Sequence, residues 1–379
     1  MLLDEVLHTS QFRRRTKRKW GKLLEEGNMS TIPTWETISA DWVAGHIGAP
    51  LGLSLRMSPV GTGQVAECRR LELLDGDLVI ASVVAKMASS DPTSAATAAA
   101  QRLYLRETSF YRELAPDIGT PTPTCYFSDY DDSDQFILLL EDLSPATPID
   151  QFQGLTREHV ERGLRALAAL HVPTMQRPEL FAAGWLGGTK AALAPLYQAI
   201  LPGLFSNFQE RFAHADPDVL TLVAEFTQRL GTYSTQRSDF ECVVHGDFRT
   251  DNLIFEGRGG EVPLAVVDWQ TVSVSSPFLD VAYFLVTSVE PDELIAQSHE
   301  LLALYCDARA RLNSPVPFDI ATRELARYAL QPVAMLVPAA VIVERTERGD
   351  RMFLEMLRRA TTVCREWNSL EELDRHAAA

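Results

Sequence analysis

A chain of 379 residues can build two lobes around a sizeable core, and with 46% hydrophobic and 23% charged residues at a mean hydropathy of −0.05 it is too apolar to stay disordered. Thirty-five basic against 51 acidic side chains give a formal charge of −16, a sign that repels phosphate backbones and anionic lipid heads, so neither nucleic acid nor a membrane is expected as a partner. Cys68, Cys125, Cys242, Cys306 and Cys364 are odd in number and form no C-x-x-C pair, which leaves zinc and redox centres without an anchor and suggests reduced thiols in the cytoplasm.

In chain order, residues 1–28 come first and hold seven of the basic side chains. They read as a solvated basic extension, with Met29 after Glu25-Glu26-Gly27-Asn28 as an expected alternative start of translation. Arg13-Arg14-Arg15 is followed by further basic residues instead of an apolar segment, so it is no export signal. From Leu55 the sequence predicts strands at Met57–Val60, Val65–Leu74 and Leu78–Met87. Gly61-Thr62-Gly63 lies between the first two, and Asp75-Gly76 is the hairpin turn before the third. A helix is expected over Ala95–Leu114, where Leu103, Phe110, Tyr111 and Leu114 form one apolar stripe with Glu107 on the same face. Strands follow at Thr124–Ser128 and Phe136–Leu140. A helical face of Val160, Leu164, Leu167, Ala168 and His171 comes next, closed at Pro173, with His171 as a core histidine. Short strands return at Cys242–Val244, Leu253–Phe255 and Leu264–Val267, and helices fill the chain beyond Phe284. The longest apolar run, Pro332–Val343, has 12 residues and two prolines, short of the roughly 20 that cross a bilayer.

The chemistry concentrates in His245-Gly246-Asp247-Phe248-Arg249-Thr250-Asp251-Asn252 and in Val266-Val267-Asp268-Trp269-Gln270, whose Asp268 lies sixteen residues after Asn252. One carboxylate can take a proton from an attacking hydroxyl while an amide oxygen and a second carboxylate hold Mg²⁺, a hard ion that prefers oxygen. Lys86 near the end of a strand and Glu107 on an apolar face suggest a pair, because a lone carboxylate there would be costly. Gly184–Lys190 lacks the Gly-Lys-Ser/Thr ending of a P-loop, and no H-E-x-x-H or G-x-S-x-G occurs.

These motifs resemble the aminoglycoside phosphotransferase superfamily, whose fold is that of protein kinases, and most closely its ecdysteroid-kinase-like bacterial branch. The resemblance spans residues from about 40 to 290. It implies an α+β, two-lobed kinase-like fold, with a β-rich N-lobe over 29–142 that covers the nucleotide and a helical C-lobe over 143–379. It further implies transfer of the γ-phosphate of ATP to a hydroxyl of a small molecule. The roles it assigns are Asp247 as base, Asn252 and Asp268 as Mg²⁺ ligands, and His245 as organiser of the loop, which Asp280 braces. Arg249 is a candidate for touching the transferred phosphate, Lys86 with Glu107 would hold the α and β phosphates, and Gly61 and Gly63 would cover them. Glu141 to Leu143 would form the hinge beside adenine. Ser275-Ser276-Pro277 stands where relatives often carry Gly-Pro-Gly, and no Asp-Phe-Gly or Ala-Pro-Glu segment exists for activation-loop control. The alternatives are an aminoglycoside or macrolide resistance kinase, and a nucleotide-binding scaffold without catalysis. The oligomeric state is left open.

Overall fold

The computed structural model describes residues 32–378 apart from 62–64, 132, 176, 187–189 and 344. The basic extension, Met29 and Gly63 lie outside the described residues. The first lobe is an antiparallel sheet of β1 (Ser54–Pro59), β2 (Ala66–Asp75), β3 (Leu78–Ala88), β4 (Cys125–Tyr130) and β5 (Phe136–Glu141), in the order β1-β2-β3-β5-β4. The Asp75-Gly76 turn sets the β2–β3 register, with Gly76 at φ 58, and this places Cys68 opposite Lys86. Because strand side chains alternate, Leu71, Leu73, Val83, Ala85, Met87, Ile137 and Leu139 pack on the outer face, while Leu138 and Leu140 join the core on the other face. A short helix that the sequence pattern does not announce, α1 (Ala40–Ile47), covers the outer cluster with Val43 and Ala44. Ser39 caps it, accepting from the Trp42 N–H.

The single helix expected over Ala95–Leu114 is broken. The alanine-rich α2 (Pro92–Ala100), capped by Asp91, ends before Arg102, which turns left-handed at φ 56. Helix α3 (Leu103–Ser109) then starts afresh and continues as a wider turn through Leu114. Of α2 only Ala98 is buried, so little packing holds it in line. The break leaves α3 free to press Leu103, Tyr104 and Glu107 inward.

In the second lobe, α4 (Arg157–Met175) runs past Pro173 instead of stopping there. The Thr174 hydroxyl donates to the Leu170 and His171 carbonyls at 2.9 and 3.0 Å, which supports the last turn. After α5 (Lys190–Arg211), α6 (Pro217–Thr227) and α7 (Leu230–Thr235) come two small antiparallel ribbons. In one, β6 (Cys242–Val244) pairs with β9 (Ser273–Ser275), and in the other β7 (Leu253–Gly257) pairs with β8 (Val262–Val266). The sequence expectation lacks β9. Helix α8 (Pro277–Ser288) follows, buried at every residue, and it packs on α4 so closely that a Cβ on Gly163 would sit 2.5 Å from the Phe284 ring. The chain ends in α9 (Pro291–Arg311), α10 (Phe318–Tyr328), α11 (Gln331–Ile342), α12 (Glu347–Glu366) and α13 (Ser369–Ala378). Phe318–Ile342 passes the length and composition test of a membrane span, yet 72% of its most apolar window is buried inside the fold, as in a core helix.

Candidate active site

Strand β8 ends at Val266, and two residues later Asp268 adopts a left-handed backbone, φ 65 and ψ 63, that turns its carboxylate toward the sheet. Lys86 Nζ reaches it from β3 at 2.7 Å and lies 2.7 Å from Glu107 Oε2 on α3. Three elements from both lobes thus meet at one ammonium. Burial alone would drive the Lys86 pKa down, but the Asp268 and Glu107 carboxylates outweigh it and hold the lysine charged. Burial also opposes ionisation of Asp268, yet Lys86 beside it wins and lowers its pKa. At the more deeply enclosed Glu107 burial prevails over Lys86 and the pKa rises. Trp269 stacks on Phe110 with centroids 3.7 Å apart, fixing the Asp268 turn to the helix that carries Glu107.

The loop from His245 to Asn252 is held from below. Both oxygens of the fully buried Asp280 carboxylate accept backbone N–H groups, from His245 at 2.7 Å and Gly246 at 2.9 Å. Gly246 needs its φ of 85, and a Cβ there would lie 2.6 Å from the Thr271 carbonyl oxygen. The fully buried His171 stands behind Asp280, with Nε2 at 3.2 Å from Asp280 Oδ2 and Nδ1 at 2.8 Å from the Tyr305 hydroxyl. Burial depresses the His171 pKa and keeps the ring neutral, so it belongs to the brace as well as to the core. His245 Nδ1 accepts from the Asp247 N–H at 3.2 Å. This leaves the proton on Nε2, which donates to the Val267 carbonyl at 3.0 Å. His245 therefore ties the Asp247 loop to the residue just before Asp268.

Asp247 receives three side-chain donors. The Tyr283 hydroxyl reaches Oδ1 at 2.9 Å, Arg249 Nε reaches Oδ1 at 3.1 Å, and Asn252 Nδ2 reaches Oδ2 at 3.1 Å while also binding the Asp247 carbonyl at 2.8 Å. Since the Asn252 amide nitrogen faces Asp247, its oxygen is turned away as an acceptor. Arg249 also pairs with Asp251 and lies 3.7 Å from Met352 Sδ on α12. Asp247 and Asp251 hold its guanidinium charged in spite of burial.

Farther along the sheet, Glu141 closes β5 and turns its carboxylate to Arg258 at 3.1 Å and the Thr124 N–H at 3.1 Å. The Leu143 carbonyl accepts from the Arg258 N–H at 3.0 Å, and the Leu143 side chain packs with Ile254 and Ala265. Between them, Asp142 accepts from Arg70 Nε at 2.8 Å and Ser82 Oγ at 2.5 Å. Gly61, at φ 70, lies in the β1–β2 connection and is exposed.

The structure thus brings Lys86, Glu107 and Asp268 together, and joins His245, Asp247, Arg249 and Asn252 beside them, with Glu141 and Leu143 at the far end. Sequence reasoning missed Tyr283, Gln270, which donates to Asp268 Oδ2 at 3.2 Å, and the Arg70–Ser82–Asp142 group. Tyr283 carried a signal, since it lies three residues after Asp280 on one helix face. The partners of Asp142 are 60 and 72 residues away and carried none.

Residues 70–312, well over half of the chain, match the model of the ecdysteroid kinase-like family. The chain belongs to that family. Among curated proteins it is 58% identical over 47 residues to acyl-CoA dehydrogenase family member 10 of Mus musculus, which covers 12% of this chain and 4% of that protein. It is 37% identical over 121 residues to family member 11 of Gallus gallus, covering 28% and 15%. The chain therefore spans a small part of the length of these relatives. Among solved structures, a microcompartment-associated aminopropanol kinase is similar with a TM-score of 0.55 at 16% identity, covering 88% of this chain and 98% of that one. The GDP complex of aminoglycoside 2'-phosphotransferase-IIIa gives 0.53 at 14% identity, covering 84% and 96%. At these identities the likeness is one of fold, the two-lobed kinase-like architecture.

Proposed function

We propose that this ecdysteroid kinase-like protein transfers the γ-phosphate of ATP to a hydroxyl of a small-molecule alcohol, with Asp247 as the base. The observation that carries the proposal is the meeting of Lys86, Glu107 and Asp268 directly beside the Asp247 loop. Phosphoryl transfer runs on positioning and charge neutralisation, and this arrangement supplies both.

The donor set fits Mg²⁺. Among the described residues no three His, Cys, Asp or Glu side chains form a metal cage, but an ion completed by substrate phosphates needs only one or two protein oxygens. Asp268 and the outward-turned Asn252 oxygen would hold it, and when bound it would neutralise charge on the phosphates. Lys86, steadied by Glu107, orients the α and β phosphates, and Arg249 can pass from its carboxylates to the transferred group. Asp247 draws the acceptor hydroxyl into line and takes its proton as the new O–P bond forms and the bond to the departing ADP breaks. The hinge at Glu141–Leu143 offers backbone groups to adenine, with Leu143, Ile254 and Ala265 as an apolar surface nearby.

Thermal unfolding with MgATP tests the nucleotide site. At 100 times the dissociation constant a ligand adds about 2.7 kcal/mol, a readable rise in Tm. The rise should require Mg²⁺ and vanish in Asp268→Ala. A wild-type chain that melts identically with and without MgATP would sink the proposal.

A further inference from the structure

We propose that Tyr283 is a positioning residue for phosphotransfer, holding Asp247 Oδ1 so that Oδ2 is the oxygen that receives the proton of the acceptor hydroxyl. This rests on Asp247 being the base. Its own support is the set of donors that each carboxylate oxygen holds. Each carboxylate oxygen offers two acceptor directions in its plane. Those of Oδ1 are taken by the Tyr283 hydroxyl at 2.9 Å and Arg249 Nε at 3.1 Å. Oδ2 takes Asn252 Nδ2 at 3.1 Å and the longer arm of the same Arg249 N–H at 3.3 Å, so each oxygen holds two contacts. What separates them is which donor stays: Tyr283 remains on Oδ1, while release of Arg249 and Asn252 opens Oδ2 to an incoming hydroxyl.

Tyr283 suits this task because of where it is anchored. It sits on α8, three residues after Asp280, and both side chains rise from the same helix face to the same loop. Asp280 fixes the backbone at His245 and Gly246, and Tyr283 fixes the side chain that follows. Every residue of α8 is buried, so the hydroxyl is presented from a packed platform. Burial, and then Asp247 beside it, push the Tyr283 pKa well above 10, so the hydroxyl remains a donor. Arg249 can leave Asp247 for a phosphate and Asn252 can adjust on binding metal, whereas Tyr283 has no such second task. When the proton passes to Oδ2, the O–P bond to the acceptor forms and the bridging P–O bond to ADP breaks, while the Oδ1 contact is unchanged.

The test is Tyr283→Phe, which keeps the ring that packs in α8, read with MgATP as phosphate donor and water as acceptor. We expect Tm and the affinity for MgATP within twofold of wild type, KM for ATP unchanged, and kcat for phosphate release lowered about 10- to 100-fold. In an Asp247→Ala background the same substitution should have no further effect, because a positioning residue acts only through the group it positions. A crystal structure of Tyr283→Phe should show the Asp247 carboxylate rotated. Unchanged kcat with Asp247 in place, or an equal further loss in the Asp247→Ala background, would overturn the assignment of Tyr283 and leave Asp247 as base. Failure of wild type to bind MgATP would instead remove the kinase assignment beneath it.

Discussion

The Lys86–Asp247 cluster and the Glu141–Leu143 segment are built on different principles. At the catalytic end, ionised side chains face one another: Lys86 between two carboxylates, Arg249 between two more, and a loop held by the buried Asp280. At the hinge end the charged groups are spent on structure, with Asp142 on Arg70 and Ser82 and Glu141 on Arg258, and an apolar patch of Leu143, Ile254 and Ala265 is left beside the backbone. Charge is therefore concentrated where the proposed function puts the phosphates, and backbone and apolar surface are kept where it puts the adenine. Side-chain identity decides the first end, and chain geometry decides the second.

The sharpest way to break this contrast is at the base. Asp247→Ala should lower phosphate transfer by roughly 10²- to 10⁴-fold while MgATP still raises Tm, as expected of a group that acts in the transition state. Near-normal turnover would refute its role. A smaller effect of the opposite kind is expected at the hinge. Asp142→Ala strands Arg70 and Ser82 and should cost about 1–2 kcal/mol in urea unfolding. It should also weaken MgATP binding severalfold with kcat unchanged. A drop in kcat as large as that of Asp247→Ala would show that the two ends are not separable.

The smallest expected effect is on pH. The folded-state pKa of His171 is depressed by burial, so below its unfolded value of about 6.5 the unfolded chain binds more protons than the folded one. Stability should then decline as pH falls from about 6.5 toward 5. Asp280 on Nε2 works against this shift and Arg309 works with it. Replacing His171 by Gln should flatten that part of the profile in urea midpoints measured across the range. An unchanged slope would place the pH response in other histidines.

The same contrast explains what the sequence made legible. The meeting of Lys86, Glu107 and Asp268 beside Asp247 and Asn252 can be anticipated because the chemistry proposed for them depends on residue type and short spacings, and the hairpin turn at Asp75-Gly76 announces the β2–β3 pairing. The proposed hinge could be located only by resemblance, since the role proposed for it lies in backbone groups that every residue carries. Its Asp142 network depends on a strand register that no local pattern encodes. The break at Arg102 was hidden for a related reason: a continuous apolar stripe and good helix formers favour one helix, while packing of α3 against the sheet favours two. The Tyr283 ring is buried in α8, and its hydroxyl reaches Asp247 Oδ1.

Helix α8 bears on how the enzyme is made. A helix buried on all sides gains almost nothing by forming alone in water and becomes stable only when α4, α10, α11 and α12 enclose it. Because it carries Asp280 and Tyr283, the catalytic loop is left unbraced until that enclosure is complete. An incompletely folded chain therefore lacks the arrangement around Asp247, and that arrangement arrives together with the closed core.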